Sequence, residues 1–466
     1  MGYSRLIKSL LLSMLLVIIG CGQKEEGTNA DSSSDTQTSS NTNNQAYAPT
    51  PDGNEQFVPV LSYRTGPYAP NGTGVANGFV DYLKLVDARD GGVNGVRISF
   101  EECETEYKTD RGVECYERLK GLGPTGASVF NPNSTGVTFA LTEKTTTDKI
   151  PLITMGYGRS ESRDGSVFPW NFPMMGTYWT AADVLVQHVG NLSGGLDKLK
   201  GKKIALIYHD SPYGKEPIKL LDKRSEMHGF QLTKLPVTHP GVEQKAAWLQ
   251  VRQDKPDYVF LWGWGVMNST AIKEAAAVRY PREQMFGVWW SGAEPDVTPA
   301  GDQSIGYSSV TLQHSAGNDN QVHKDIFKYV YDAGVGSGDR DRVGEVLYNR
   351  GMLNAAIVVE VIRNAQSKYG QKPLTGEQIR WGIENFELTQ AQIDKLGLSG
   401  MVQPIKLSCS DHEGTRIARI HTWNGKTWEY SSDWIEASDA VIKPMVETAA
   451  SNYAKEKNIT RASCES

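Results

Sequence analysis

Apolar residues recur along this chain in two spacings, and stretches with the two spacings alternate. Short continuous apolar runs, of which Lys203–Tyr208 and Tyr258–Trp262 are the clearest, have the length and the aromatic and β-branched content of buried strands. Longer stretches carry apolar residues three or four positions apart, as at Phe79, Leu83 and Val86, which is helical spacing. Strands that alternate with helices predict an α/β protein with parallel sheets.

The clearest unit of this pattern begins near residue 56. Gln56–Leu61 predict a first strand, and Val96–Phe100 predict a second. Between them we expect a turn-rich loop that contains Asn71–Gly72, and then a helix that ends at Gly91–Gly92. This is a βαβ unit, and its loop lies at the carboxyl end of the first strand, where open α/β sheets bind ligands.

The remaining elements continue the alternation. Helices are predicted over Val113–Lys120, over a segment that ends near Thr145, and over Gly344–Lys368. Asn424–Gly425 predicts a hairpin turn between two short antiparallel strands near the carboxyl end. The further strands are predicted at Ser128–Asn131, Ile150–Met155, Met285–Trp290, Ile405–Leu407, Arg416–His421 and Thr427–Tyr430.

Composition narrows the class of protein. With 466 residues the chain is too long for one typical core, so two lobes are expected. A formal net charge of −6 and the absence of any Lys/Arg block in the sequence argue against a nucleic-acid surface. A hydrophobic content of 39% suits a globular core and not a protein with many membrane spans.

The first 55 residues differ from the rest. Arg5 and Lys8 precede an apolar run that ends in Ile18–Cys21, which matches the cleavage site of a bacterial lipoprotein signal. We therefore predict a signal peptide over residues 1–21 and a lipid on Cys21; an ordinary signal peptide or a short anchor helix is the alternative, but the run is too short to span a bilayer. Residues 22–55 are rich in Ser, Thr, Asn and Gln and predict a disordered tether.

Sequence motifs of common enzymes and metal sites are absent. The sequence has no Walker A loop, no Gly-x-Ser-x-Gly, no His-Glu-x-x-His and no Cys-x-x-Cys, and its eight histidines show no metal-ligand spacing. His209–Asp210 follows a strand, where neighbouring side chains point in different directions, so we interpret it as a loop pair and not as a catalytic one. No catalytic residue, cofactor or metal is predicted.

The loop residues Thr65–Ala69 and Asn71–Gly72, with the turn Gly91–Gly95, resemble the start of a type I periplasmic solute-binding protein. The leucine/isoleucine/valine-binding group of ABC importers is the most similar. The strand Lys203–Tyr208 and the turn His209–Gly214 are likewise similar to the entry to that family's second lobe. The resemblance covers residues from about 57 to about 434.

This resemblance implies two lobes, each a parallel sheet flanked by helices, with three hinge crossings that permit closure on a ligand. We place the crossings near Pro173–Thr177, Ile305–Leu312 and Gly397–Met401. The domain boundaries that follow are 56–175 with 313–398 for the first lobe, and 176–312 with 399–466 for the second.

The family's ligand site can be carried over residue by residue. In the amino-acid binders the ligand carboxylate meets hydroxyls and backbone N–H groups of the first lobe, and its ammonium meets an acid of the second. Ser134 and Thr135 can simply cap their helix, and Glu294 can simply be solvated beside Pro295, with Asp296 as a competing carboxylate. The resemblance implies that the ligand is bound by Ser134, Thr135, Tyr157, Tyr213, Trp264 and Glu294, with Trp290 as a further candidate wall.

Five cysteines remain to be assigned. If Cys21 carries the lipid, an exported chain with four further cysteines predicts two disulfides. We predict the pairs Cys103–Cys115 and Cys409–Cys464.

The implied function is capture of a branched-chain or other apolar amino acid by a lipid-anchored protein of the periplasm or cell envelope. Its partners would be the membrane, an ABC permease and the ATPase subunits. Asn131, Asn133, Tyr157 and Arg159 are bulkier than the hydroxyl residues that amino-acid binders tend to have there, so an aromatic or apolar carboxylate is an alternative. A ligand-sensing module of the same fold is another, and the missing catalytic motifs count against an enzyme.

Overall fold

The structure, a computed structural model, describes residues 45–464 as an α/β fold built on two sheets. The strands are Glu55–Phe57, Val60–Ser62, Arg97–Ser99, Glu102–Glu104, Leu152–Ile153, Asn171–Phe172, Lys203–His209, Gln231–Val237, Tyr258–Trp262, Met285–Gly287, Ser308–Thr311, Glu387–Leu388, Ile405–Lys406, Ile417–Trp423, Trp428–Tyr430 and Ile435–Glu436. The α-helices are Ala69–Asp90, Thr109–Leu119, Thr135–Asp148, Tyr178–Ser193, Pro212–Lys215, Ile218–His228, Lys245–Asp254, Val266–Ala277, Glu294–Val297, Gln321–Ile326, Val346–Tyr369, Gly376–Glu384, Gln390–Lys395 and Asp439–Lys457.

The first sheet is parallel and is made of short, interrupted strands. Glu55–Phe57 and Val60–Ser62 pair with Arg97–Ser99 and Glu102–Glu104, and backbone hydrogen bonds continue between the two pairs. On the other side, Ser128 donates its N–H to the Phe57 carbonyl, and the sheet continues through Leu152–Ile153 to Asn171–Phe172. We call this sheet and the helices around it the first lobe.

The second sheet has eight strands and forms the second lobe. Five parallel strands run in the order Ser308–Thr311, Met285–Gly287, Tyr258–Trp262, Lys203–His209 and Gln231–Val237. Ile417–Trp423 pairs antiparallel with the first of these and carries the last short strands at that edge. The strand at the opposite edge, Gln231–Val237, was not predicted from the sequence. Most residues of this strand are exposed or half-buried, so the strand lacks a continuous apolar run.

Two long helices of the first lobe, Ala69–Asp90 and Val346–Tyr369, pack closely along each other. The approach requires glycine at the crossing: a β-carbon on Gly78 would collide with the Tyr348 carbonyl, and one on Gly351 would collide with the Val75 carbonyl. This pairing holds the residues between 321 and 395 against the amino-terminal part of the chain.

The chain passes between the lobes three times. It leaves the first lobe after Phe172 and returns after Thr311. After the predicted crossing Gly397–Met401, the strand Ile405–Lys406 pairs with Glu387–Leu388, and the strand that joins the second sheet begins at Ile417.

Two local predictions differ from the structure near the amino-terminal end. Asn71–Gly72 lies inside the helix that starts at Ala69, not in a loop, and Gly72 leaves room for the Tyr63 ring. The folded part also begins before Glu55, since the Tyr47 ring stacks on Phe100 at 5.1 Å and the Phe100 N–H donates to the Tyr47 carbonyl. Residues 45–55, predicted as part of the tether, are therefore ordered, and the predicted signal peptide, Cys21 and residues 22–44 lie outside the described residues.

Both cysteine pairs of the sequence analysis are bonded in the structure. Cys103 joins Cys115 beside the first sheet, and Cys409 joins Cys464, which ties the carboxyl-terminal segment to the loop after Lys406. Within residues 45–464, no helix has the length and hydropathy needed to cross a bilayer.

Candidate functional site

A small cavity lies where the two lobes face each other, and its walls come from loops that follow strands. Tyr63 follows the strand Val60–Ser62 and Tyr107 follows the strand Glu102–Glu104, both in the first lobe. Trp264 and Trp290 follow strands of the second lobe. The carboxyl ends of parallel strands are the usual place for a ligand in such sheets. The residues that line the cavity are Tyr63, Tyr107, Asn133, Ser134, Thr135, Tyr157, Tyr178, Tyr213, Trp264 and Trp290.

The cavity is small and aromatic. In this closed arrangement its volume is about 10 Å³, room for about one water molecule and far below the roughly 300–1,000 Å³ of pockets for drug-sized ligands. Its rings meet edge to face, with Trp264 and Trp290 at 5.3 Å and Tyr157 and Trp290 at 6.0 Å between centroids. Among the described residues, the ten that line it include no acidic or basic side chain.

Tyr157 is fixed by polar contacts on the first-lobe side. Its hydroxyl donates to the side-chain oxygen of Asn131 and accepts from the backbone N–H of Asn133 at 2.8 Å. Burial raises the pKa of this hydroxyl far above its usual value, so it stays neutral. The bulk that the sequence analysis noted at Asn131 and Tyr157 thus forms a hydrogen-bonded wall.

A helix begins at the same wall. Ser134 caps the helix Thr135–Asp148, with its hydroxyl oxygen accepting from the Val137 N–H at 3.4 Å. Helix N-termini carry free N–H groups and the positive end of the helix dipole, both of which favour an anion. Ser134 therefore acts as a cap and also lines the cavity.

Three buried polar atoms of the lining have no hydrogen-bond partner of normal geometry among the described residues. They are the Trp264 indole Nε1, the Thr135 Oγ1 and the Asn133 Oδ1. Tyr63 and Tyr178 interact with Trp264 and Thr135 without completing such a bond. Buried polar groups are normally paired, so these atoms are suited to bind a ligand.

Hydrogen bonds between the lobes surround the cavity. Trp289 and Trp290 of the second lobe both donate their indole N–H to the Gly156 carbonyl of the first, at 2.6 and 2.8 Å. The Tyr68 hydroxyl lies 2.7 Å from Nε2 of His209, whose pKa is lowered to about 4 by burial. The two lobes are thus closed on each other.

Two acids of the second lobe also contact the first. Asp296 accepts from Asn71 at 2.9 Å and from Asn268 at 2.8 Å, and burial raises its pKa to about 6. Glu294 accepts from the Val346 N–H at 3.0 Å, and burial raises its pKa to about 8. Both carboxylates belong to the contact between lobes.

The structure brings five of the six predicted ligand-binding residues together: Ser134, Thr135, Tyr157, Tyr213 and Trp264 all line the cavity. Tyr213 is held by its hydroxyl, which donates to the Gly263 carbonyl at 2.8 Å. Glu294 is not part of the lining, since its carboxylate is turned to the amino end of the helix Val346–Tyr369. Tyr63, Tyr107 and Tyr178 were missed, although each closely follows the carboxyl end of a strand.

Across residues 45–464, no three side chains of His, Cys, Asp and Glu are grouped so that they could hold a metal ion.

Comparison with known proteins gives a consistent assignment of fold. The sequence profile of the periplasmic binding protein family matches residues 55–427. The chain is 43% identical to a protein described as an ABC transporter permease from the Pseudomonas fluorescens group, over 88% of this chain and 100% of that chain, with a TM-score of 0.82. No curated protein matches the chain.

More distant structures have the same fold. A branched-chain amino acid ABC transporter protein from Thermus thermophilus with bound valine is 21% identical over 84% of this chain and 99% of its own, with a TM-score of 0.67. A solute-binding protein of an ABC transporter from R. palustris in complex with benzoate is 17% identical over 82% and 98%, with a TM-score of 0.63.

Proposed function

Because this chain belongs to the periplasmic binding protein family, we propose that it is the extracytoplasmic solute-binding component of an ABC importer. The two lobes close on a small ligand and present it to a permease, which works with ATPase subunits. Closure around a loop-lined cavity supports this role over catalysis, since the ten described lining residues include no acidic or basic side chain that could activate the Ser134 or Thr135 hydroxyl.

We propose further that the ligand is a small carboxylate with an aromatic or other apolar body. The observation that carries this is the lining itself: seven aromatic rings, hydrogen-bond donors from Thr135 and Trp264, and the amino end of the helix Thr135–Asp148. Donors and a helix N-terminus favour an anion, and the rings favour an apolar body.

An amino-acid ligand would also need a partner for its ammonium group. Its ammonium group loses water on closure and needs an acceptor, preferably an acid, to replace that water. The family resemblance implies this role for Glu294. In the closed structure, however, the Glu294 carboxylate accepts from the Val346 N–H. The acceptors in the described lining, the Asn133 Oδ1 and the hydroxyl oxygens of Ser134, Thr135 and the tyrosines, are all neutral. A simple carboxylate is therefore the better match.

Proteins of the same fold bind ligands of both kinds. The Thermus thermophilus protein holds valine and the R. palustris protein holds benzoate, and both ligands are carboxylates. The choice between them for this chain therefore rests on the residues of its own cavity.

The proposal can be tested by calorimetry on the full-length protein in mild detergent. We expect benzoate or isovalerate to bind more tightly than valine or leucine. Tyr157→Phe should weaken the binding of the carboxylate, because it removes the hydroxyl that orders Asn131 and Asn133. Tighter binding of valine than of any simple carboxylate would return the ligand to the amino-acid class, and failure of every carboxylate to bind would reject the class altogether.

The predicted lipid on Cys21 remains part of this proposal. A membrane anchor followed by a polar tether would keep the two lobes near a permease while they are free to turn.

A further inference from the structure

Arg350 is a buried cation close to the cavity. It lies on the helix Val346–Tyr369, and only 1% of its surface is exposed. Its Nη1 donates to the Trp289 carbonyl at 2.6 Å and its Nε donates to the Gln313 side-chain oxygen at 3.1 Å. Its Nη2 has no hydrogen-bond partner among the described residues.

The charge of Arg350 is poorly compensated. Within residues 45–464 no carboxylate forms an ion pair with it, and its two hydrogen bonds go to neutral oxygens. Asp296 attracts it from a distance, but the Asp296 oxygens are occupied by Asn71, Asn268 and the Ala293 N–H. Burial accordingly lowers the pKa of Arg350 to about 9.

One aromatic ring links Arg350 to the site. The guanidinium carbon lies 4.5 Å from the centre of the Trp290 ring, and Trp290 lines the cavity. Because Trp289 and Trp290 belong to the second lobe and Arg350 to the first, this arrangement exists only when the lobes are closed. Closure therefore moves a partly uncompensated positive charge to the back of the cavity wall.

We propose that Arg350 is a specificity-determining residue that makes the closed cavity select an anionic ligand. The inference rests on the proposed function and deepens it. Charges interact more strongly in a protein interior than in water, so a ligand carboxylate would be attracted by Arg350 without touching it. The ligand carboxylate would in turn provide the neighbouring negative charge that no carboxylate of the described residues provides through an ion pair with Arg350.

The test compares each anion with its neutral amide. Benzoate and benzamide, and isovalerate and isovaleramide, are titrated into the full-length protein in mild detergent. The wild type should prefer each acid anion by on the order of tenfold or more. Arg350→Met, which keeps the length and removes the charge, should lose most of that preference by weakening the anion and not the amide. Arg350→Lys, which keeps the charge, should retain the preference.

Arg342→Met is the matched control, because Arg342 lies just before the same helix and pairs with Glu345. It should leave the ratio of anion to amide affinities unchanged. Thermal unfolding of each variant shows whether it folds. If Arg350→Met does not fold, the ratios of anion to amide affinity in the wild type and in Arg350→Lys still test the inference.

The outcomes distinguish failure of the role proposed for Arg350 from failure of the proposed ligand class. Equal weakening of anion and amide in Arg350→Met, or a wild type that binds both equally, would make Arg350 a structural residue and overturn the inference, while the carboxylate site would stand. If the wild type binds none of the four probes, the proposed ligand class fails and the inference fails with it.

Discussion

The indole N–H of Trp290 donates to the carbonyl oxygen of Gly156 over 2.8 Å, so a wall of the cavity that belongs to the second lobe is held by the backbone of the first. The cavity wall and the contact between the lobes therefore share a residue. Trp290→Phe keeps a ring in the wall and removes the bond.

We expect Trp290→Phe to weaken the affinity for the ligand by about 1 kcal/mol, the net contribution of an ordinary hydrogen bond. Calorimetry with benzoate measures it. Trp428→Phe is the control, since the Trp428 indole nitrogen has no partner in the described structure and the residue does not line the cavity. If the two variants bind equally well, the bond to Gly156 contributes nothing to capture.

Ligand affinity should increase as the pH falls from about 9 to about 6. Glu294 has an ordinary pKa of 4.5 when the lobes are open and exposed to water, and burial in the closed structure raises it to about 8. A raised pKa in the closed form means that protonation favours closure. The resulting stabilisation of the closed form is complete below the open-form pKa and is lost as the pH rises through about 8. Asp296 acts in the same direction, with a closed-form pKa of about 6.

The charged neighbours of Glu294 do not reverse this sign. Glu345 and Asp296 raise its pKa further, and Arg342 lies near enough to interact with it. We expect benzoate, which stays ionised in this range, to bind about tenfold more tightly at pH 6.5 than at pH 8.5.

Glu294→Gln separates two roles for this residue. Its neutral amide oxygen can still accept from Val346, so it should bind benzoate more tightly than the wild type at pH 8.5 and show less dependence on pH. If Glu294 instead holds a ligand ammonium, the same variant should bind valine more weakly by about 2 kcal/mol. The sign of the change identifies the role.

The disulfide Cys103–Cys115 should stabilise the first lobe. It closes a loop with a sequence separation of 12, for which restriction of the unfolded chain predicts about 3 kcal/mol. Replacing both cysteines with Ala should lower the free energy of unfolding by that order, measured in urea. Neither cysteine lines the cavity, so ligand affinity should change little. A loss of affinity without a loss of stability would contradict this account.

Gly351→Ala should destabilise the first lobe. The new methyl group would collide with the Val75 carbonyl on the facing helix, and overpacking of this kind costs about 1–3 kcal/mol. Gly121→Ala is the matched control, since a β-carbon there meets no atom within 4 Å. Urea unfolding of both variants measures the difference, and equal stabilities would show that the helix pair can separate without penalty.

Cys21→Ala should abolish lipid attachment and release the protein from the membrane. The expectation follows from the cleavage site at Ile18–Cys21. Labelling cells with a radioactive fatty acid and separating membrane from soluble fractions measures both effects. Label kept at the level of the wild type would remove Cys21 from this role.

The order of elements was predictable because buried strands and amphipathic helices have distinct apolar spacings. Lys203–His209 and Val346–Tyr369 were found within two residues of their bounds for that reason. Gln231–Val237 was missed because an edge strand needs few apolar residues. Asn71–Gly72 was taken for a turn because the contact that selects Gly72, with the Tyr63 ring, is tertiary.

The lining of the candidate site was predictable where family resemblance and strand ends coincide. Ser134, Thr135 and Trp264 lie just after strands or at a helix start, and they line the cavity. Glu294 also follows a strand, but the direction of its carboxylate depends on where the helix Val346–Tyr369 begins. Arg350 lies inside that helix, where its sequence context does not distinguish it from a residue on a solvated face.

The aromatic wall also makes ligand capture visible. Two of the 11 tryptophans, Trp264 and Trp290, line the cavity, and the Trp264 indole nitrogen has no hydrogen-bond partner of normal geometry among the described residues. A carboxylate that reaches this indole would change its polarity and hydrogen bonding, and with them the wavelength and intensity of its emission. The unlabelled protein thus contains its own fluorescent reporter at the proposed ligand site.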